Sequence, residues 1–286
     1  MITVDNHPAD TQEAAEKLPA LTSGFSTLAA GITKVPSQLN TLADISLIRL
    51  GHQCSVDRSA ELLDTWKALT IADQALSAIF AVATSDEDSV DCLIDDTRYE
   101  VPATGPTHYS NADRWQTALW LAVISRDFKR IRDLCDVEES TLRARSDDFD
   151  EFVYHWIKAL QAYFLNDDEQ LRAEMEESSR LLAPEHVSKT PSSYLSNIFY
   201  PQFIAFLRLG ARDSDGFSQA LADSLRSHRE FWTSSDDQAA NPVGQVALAP
   251  LAFACLANDS GLPVEVSSGY LPSGFVAGAR TAEYQF

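Results

Sequence analysis

Carboxylates dominate the chemistry this sequence could perform, and many of them fall in tight groups. The densest are Asp86, Glu87, Asp88, Asp91, Asp95 and Asp96, then Asp147, Asp148, Asp150 and Glu151, then Asp167, Asp168 and Glu169. Two carboxyl groups converging across a cleft could serve as acid and base in a hydrolase, but a chain with 42 acidic residues offers such pairs by chance. Acids are also favoured at helix N-termini, and Asp150–Glu151 and Asp167–Glu169 stand where helices should begin. Taken together, the groups exceed what solubility needs: 22 basic residues leave a net charge of −20 and a pI near 4.5. Such a surface repels phosphate, which argues against nucleic acid and anionic membranes as partners. It speeds capture of a protein with a basic surface. These three groups are the candidate partner-binding residues.

Other reactive side chains are scattered. The histidines at 7, 52, 108, 155, 186 and 228 stand singly, with no second ligand at a metal-binding spacing, so neither a metal nor another cofactor is expected. His155, between Tyr154 and Trp156, reads as a core or interface histidine without an orienting partner. Cys54, Cys92, Cys135 and Cys255 lie far apart in apolar segments, as reduced core thiols do. No phosphate-binding glycine loop, HExxH or GxSxG occurs. The aromatic residues alternate with Ala, Leu and acids rather than with bases, which suits core packing better than base stacking. No basic segment followed by an apolar run opens the chain, and no stretch reaches the roughly 20 apolar residues of a membrane span. The expectation is a cytoplasmic protein.

The elements that must position these groups are mostly helical. Hydrophobic residues make up 45 % of the chain, enough for a sizeable core. A loose amphipathic stretch covers Glu13 to Leu21. Leu39, Leu42, Ile45, Leu47 and Ile48 predict a helix ending near Gly51, and a second long helical stretch runs from Val56 to Val82. Between Val90 and Val101 the period changes to two around Asp95-Asp96, the pattern of a β-hairpin. Pro102, Gly105 and Pro106 place a boundary near residue 105, giving an N-terminal segment 1–105 and a helical-repeat segment 106–286, with one continuous domain as the alternative.

Asn111 can cap a helix whose Trp115, Ala118, Leu119, Ala122 and Val123 form an apolar stripe. Trp120, Leu121 and Ile124 make its other side apolar, so it should lie centrally. Phe152, Trp156, Leu160 and Phe164 form a second stripe, and Phe217, Ala220, Leu221, Leu225 and His228 a third. Tyr200-Pro201 either kinks a helix or restarts it. Three apolar helices each lead through an Asp-bearing turn, near Asp127, Asp168 and Asp213–Asp215, into a second helix. Helical hairpins at that spacing predict a mostly α fold, stacked as an irregular α-solenoid of tetratricopeptide or HEAT kind or as a bundle.

Several segments resemble the immunity 49 family of bacterial polymorphic toxin systems. Leu248-Ala-Pro-Leu-Ala-Phe-Ala-Cys-Leu256 through Tyr270-Leu-Pro272 is similar to its closing segment, and His228-Arg-Glu-Phe-Trp-Thr233 to its His-x-x-aromatic-Trp-Thr element. Val153-Tyr-His-Trp156, Ile198-Phe-Tyr-Pro201 and Pro102-Ala-Thr-Gly-Pro106 before the Trp115 helix follow in the family's order. The resemblance runs from about Val90 to Pro272 and departs at Ser268-Gly269, where the family carries an acid. It implies a mostly α-helical, non-enzymatic immunity protein that binds and neutralises a cognate toxin, a nuclease-type toxin being favoured. Trp232 and Tyr270 would be packing anchors, with Pro263 and Pro272 forming turns. A helical-repeat adaptor for a basic protein would share the repeat pattern and the acidity, and a hydrolase would require a deep pocket with two convergent acids.

Overall fold

The computed structural model describes residues 1–145, 147–281 and 283. A short strand β1 (Ile2–Thr3) leads into three long helices, α1 (Thr11–Gly31), α2 (Gln38–Val56) and α3 (Leu63–Thr84). The hairpin follows as β2 (Ser89–Ile94) and β3 (Thr97–Pro102). Then come α4 (Ala112–Ser125), α5 (Phe128–Cys135), the short α6 (Glu139–Arg143), α7 (Glu151–Leu165) and α8 (Asp168–Leu181). A single turn α9 (Ser192–Tyr194) runs through a π-helical segment, Leu195–Phe199, into α10 (Tyr200–Gly210), which carries Pro201 in its first turn and packs on α11 (Ser214–Trp232). The chain ends with α12 (Asp236–Ala239), α13 (Leu248–Asp259), the strand β4 (Val266–Ser267) and α14 (Ser273–Ala277). The fold is mostly α, as expected.

The three expected hairpins are α4/α5, α7/α8 and α10/α11, and their turns share one local structure. Arg126, Asn166 and Arg212 each adopt a left-handed backbone, with φ of 59°, 58° and 53°. In each, the next N–H reaches back into the first helix: Asp127 to the Ala122 carbonyl at 2.9 Å, Asp167 to Ala162 at 2.9 Å, Asp213 to Arg208 at 3.2 Å. This closes the first helix in the usual left-handed manner. The same aspartate then caps the second helix, accepting from the N–H three residues on: Arg130 at 2.9 Å, Gln170 at 3.0 Å and Gly216 at 3.0 Å. The middle cap is thus Asp167, one residue before the expected turn, and Asp168 opens α8.

Aromatic residues join the hairpins. Trp156 on α7 is 1 % exposed and lies among Phe199, Phe203 and Phe206, with ring centroids 5.8, 5.7 and 5.2 Å away. Its indole N–H donates to Gln116 Oε1 on α4 at 3.0 Å. As expected, α4 is central: it packs on α3 and α13, where Trp120 meets Phe253 edge-on at 5.3 Å.

Two helix ends differ from the sequence expectation. The second helix continues past Gly51 to Val56; the glycine serves a close approach instead of a stop, since a Cβ there would fall 2.0 Å from the Pro242 carbonyl oxygen. It is a close-approach glycine inside a helix. The third helix starts at Leu63 rather than Val56. Asp57 ends the preceding helix and accepts from the Glu61 and Leu62 N–H groups at 3.1 and 2.9 Å and from the Thr65 hydroxyl at 2.5 Å. The first helix is also longer than its sequence pattern suggests, at 21 residues.

The two ends of the chain interlock. Ile2 pairs with Val266 and Thr3 with Ser267 in parallel register. Beside them the Tyr270 hydroxyl accepts the His7 backbone N–H at 2.8 Å and lies 2.7 Å from His7 Nδ1, to which it can donate. His228 stacks edge-on against the same tyrosine at 4.8 Å, and its Nε2–H donates to the Gly244 carbonyl at 2.8 Å. Burial lowers the His7 imidazole below its usual range, reinforced by nearby Arg58 and Arg229. Burial likewise pushes His228 down to about 4, against the pull of the Gly244 carbonyl.

Both rings are therefore held neutral when folded, whereas in the unfolded chain they take up protons from pH 6.5 downward. Their contribution is fully present above pH 6.5 and is lost on acidification below it, for His228 as the pH falls toward 4. For His228 the loss should be on the order of 3 kcal/mol. Denaturant unfolding between pH 7.5 and 4.5 should show a loss in the parent that is smaller in His228→Gln, where only the His7 share remains. Parallel curves for the two proteins would refute it.

Candidate partner-binding surface

In the first acidic group, Asp86, Glu87 and Asp88 lie exposed in the loop between α3 and β2, and no described cation pairs with any of them. The other three are differently placed. Asp91 is bound across the hairpin by Arg98 at 2.7 Å. Asp95 and Asp96 form the two-residue turn, with φ of 50° and 59°, which suits short polar side chains in the left-handed region. Lys67 on α3 reaches Asp95 at 2.7 Å and Asp96 at 3.9 Å, so the hairpin tip is partly neutralised while its base is not.

The second group is largely committed to holding the chain around α7. Arg143 forks onto Glu151 at 2.9 and 2.6 Å, also binds Glu139, and covers the Tyr154 ring with its guanidinium carbon 3.5 Å from the centroid. Asp147 pairs with Lys189 at 2.6 Å. Asp148 is exposed. Asp150 departs from the expected exposed surface: it is 4 % exposed and accepts from the N–H groups of Ser188, Lys189 and Thr190 at 2.8 to 3.1 Å. Burial opposes the charge, but these donors outweigh it and hold the carboxyl down at about 2. It anchors the 188–190 loop and does not face solvent.

In the third group Asp167 is the cap already described, while Asp168 and Glu169 stand exposed in the first turn of α8 without a described cation. The second and third groups flank α7, whose 15 residues separate them by about 22 Å. The second and third groups thus form separate patches. The acids left with free charge are mainly Asp86, Glu87, Asp88, Asp168 and Glu169.

A cavity of about 430 Å³ lies between α3, β2 and α5; Asp127 and Arg130 line it, and Asp73, which does not, meets Arg130 beneath the surface of α3. Asp73 is completely buried and Asp127 nearly so, but Arg130 stands between them with Nη1 3.0 Å from one and 2.7 Å from the other. Burial, opposed by Arg130 and aided by the Asp127 charge, pushes the Asp73 carboxyl up to about 7. The guanidinium occupies the space that a substrate would need between an acid and a base. The geometry is that of a structural ion triad.

Some features are invisible from sequence. His155 does have a partner, Glu174 of α8, 2.6 Å from its Nδ1. Phe128, at the first hairpin turn, is 76 % exposed, and Leu165, at the second, 52 %. Nothing in their spacing marks them, since Leu165 ends the apolar run of α7 and Phe128 stands three residues before buried Ile131, as a core residue of α5 would. All four cysteines are free and buried. Among the described residues no group of His, Cys, Asp and Glu is arranged to hold a metal ion, and no helix is long and apolar enough to cross a membrane.

A family model described as Immunity protein 49 matches residues 57–275, beginning upstream of the Val90–Pro272 stretch that carries the resemblance in sequence. Neither the curated proteins nor the solved structures contain a match to the chain.

Proposed function

The chain belongs to the Immunity protein 49 family, and from that membership we propose that it acts in the cytoplasm by binding and neutralising a cognate bacterial toxin, without catalysis of its own. The observation that carries the mode of binding is the set of exposed, uncompensated acids Asp86, Glu87 and Asp88 beside the hairpin. Negative charge without a local cation accelerates encounter with a basic surface and resembles the phosphates that a nuclease-type toxin binds. That toxin class is the favoured target for this reason. Arg130 between Asp73 and Asp127 supports the non-catalytic reading. The repeated Asp-capped hairpins would equally suit an adaptor for a basic protein, and capture of a cellular complex with no toxin gene beside this one would favour that alternative.

Co-expression with the toxin encoded beside this gene should restore growth and yield a stable complex. Failure of both would refute the proposal. Reversing Asp86, Glu87 and Asp88 together to lysine should slow association by about tenfold at low salt and flatten its salt dependence, with little change in dissociation. Reversing Asp147, which Lys189 already binds, should do less. Stopped-flow association rates at several salt concentrations separate these outcomes, and an unchanged rate in the triple variant would place the contact elsewhere.

A further inference from the structure

Both strands of the two-stranded hairpin have an outward backbone edge, and that of β2 is the one that borders a cavity. Residues facing each other across an antiparallel pair alternate between exchanging backbone hydrogen bonds and turning them outward. The two-residue turn at Asp95-Asp96 makes Ile94 and Thr97 a bonded pair, so Cys92 with Tyr99 and Val90 with Val101 are bonded too. The Ala103 N–H donating to the Asp88 carbonyl at 3.0 Å continues the same series. Asp91 and Leu93, between these pairs, therefore direct their N–H and C=O groups away from β3, and no described group bonds them. The sheet holds only β2 and β3, so that side of β2 is a free edge.

This edge borders the cavity already described. Val90, Asp91, Cys92 and Leu93 line it consecutively, as a strand does when its edge rather than one face is presented. Opposite them the small side chains Ala78 and Ala81 leave room along α3. Charge within the lining is balanced by local pairs, Asp91 with Arg98 and Lys129 with Asp133. The uncompensated charge lies at the start of the strand, on Asp86, Glu87 and Asp88.

We propose that β2 is the docking strand for an extended, basic segment of the partner protein, which adds to the hairpin as a third strand. The outward groups of Asp91 and Leu93 repeat at about 7 Å, the two-residue period of a strand, and would be satisfied by a partner backbone. The three acids beside Ser89 select Lys or Arg at the adjoining end of that segment. Backbone pairing supplies the register, and the acids supply the choice of partner. This rests on the toxin-binding reading and names the surface through which it operates.

The test is amide exchange of the full chain, free and in complex with an inactivated form of the toxin domain encoded beside its gene. The Asp91 and Leu93 amides should exchange at least tenfold more slowly in the complex, while those of Cys92 and Ile94, already bonded to β3, should change little. Leu93→Pro removes an outward donor and leaves the inward ladder intact, so it should raise the Kd at least tenfold. Retained protection of Cys92 and Ile94 in that variant shows that its hairpin is folded. A complex that leaves Asp91 and Leu93 exchanging at their free rates overturns the docking strand while sparing the toxin-binding reading, and so does a folded Leu93→Pro variant with unchanged Kd. If no complex forms at all, both readings fall.

Discussion

Replacing Arg130 by alanine should cost about 3–5 kcal/mol of stability near pH 8. The guanidinium serves two carboxylates at once, completely buried Asp73 at 3.0 Å and Asp127 at 2.7 Å. Its removal leaves a buried charge with no counterion, a far larger penalty than the loss of a surface pair. The pH dependence identifies the cause. Asp73 already has a carboxyl raised to about 7, so the folded state holds its proton more tightly than the unfolded state does, and its ionisation costs stability as the pH rises. Without Arg130 that carboxyl rises further. The deficit of the variant should therefore shrink toward pH 5, where Asp73 is protonated, and Asp73→Asn in the same chain should recover part of it. Denaturant unfolding at pH 5, 6.5 and 8 provides the measurement. A loss below 1 kcal/mol, or one independent of pH, would show that the triad is not a stability element.

A loss of similar size, about 3–5 kcal/mol, is expected for Trp156→Ala. The indole fills the space between α7 and the Phe199–Phe206 stretch, and its N–H is the donor to Gln116 on α4. Removing it opens a cavity among three buried phenylalanines, Phe199 at the end of the π-helical segment and Phe203 and Phe206 within α10. Gln116→Leu should cost only about 1–2 kcal/mol, since it orphans the indole N–H but keeps the packing. Equal effects of the two substitutions would mean that the hydrogen bond, rather than the ring, joins the hairpins.

Much of this frame is legible before any coordinates. The change of period at Val90–Val101 gives the hairpin with its register, because side chains alternate strictly along a strand and the turn can only fall at Asp95-Asp96. The three Asp-bearing turns stand out because a left-handed residue followed by an aspartate cap is a local device, encoded within a few positions. Helix ends decided by distant groups are not legible. Nothing near Gly51 announces that Pro242 will lie against it, whereas the stop at Asp57 is a local turn, closed by donors within eight residues, that the apolar period runs straight across.

The same division runs through the candidate surface. The acids are evident as composition, but which of them keep their charge depends on Lys67, Arg143 and Lys189 arriving from other segments. Asp150 sits in the same run as Asp147 and differs from it completely in role, because three backbone N–H groups some 40 residues away close around it. A free strand edge leaves no compositional trace at all.

The joining of the chain ends sets a schedule as well as a shape. His7 and Tyr270 are 263 residues apart, and β1 has nothing to pair with until β4 has been made. At roughly 5–20 residues per second, the first strand leaves the ribosome on the order of 13 to 50 s before its partner exists. During that interval the amino-terminal segment and the buried seat of His228 stay incomplete. A newly made copy thus cannot complete its fold before residues 266–270 have been made, so any activity that needs the joined ends is drawn from molecules synthesised at least that long before.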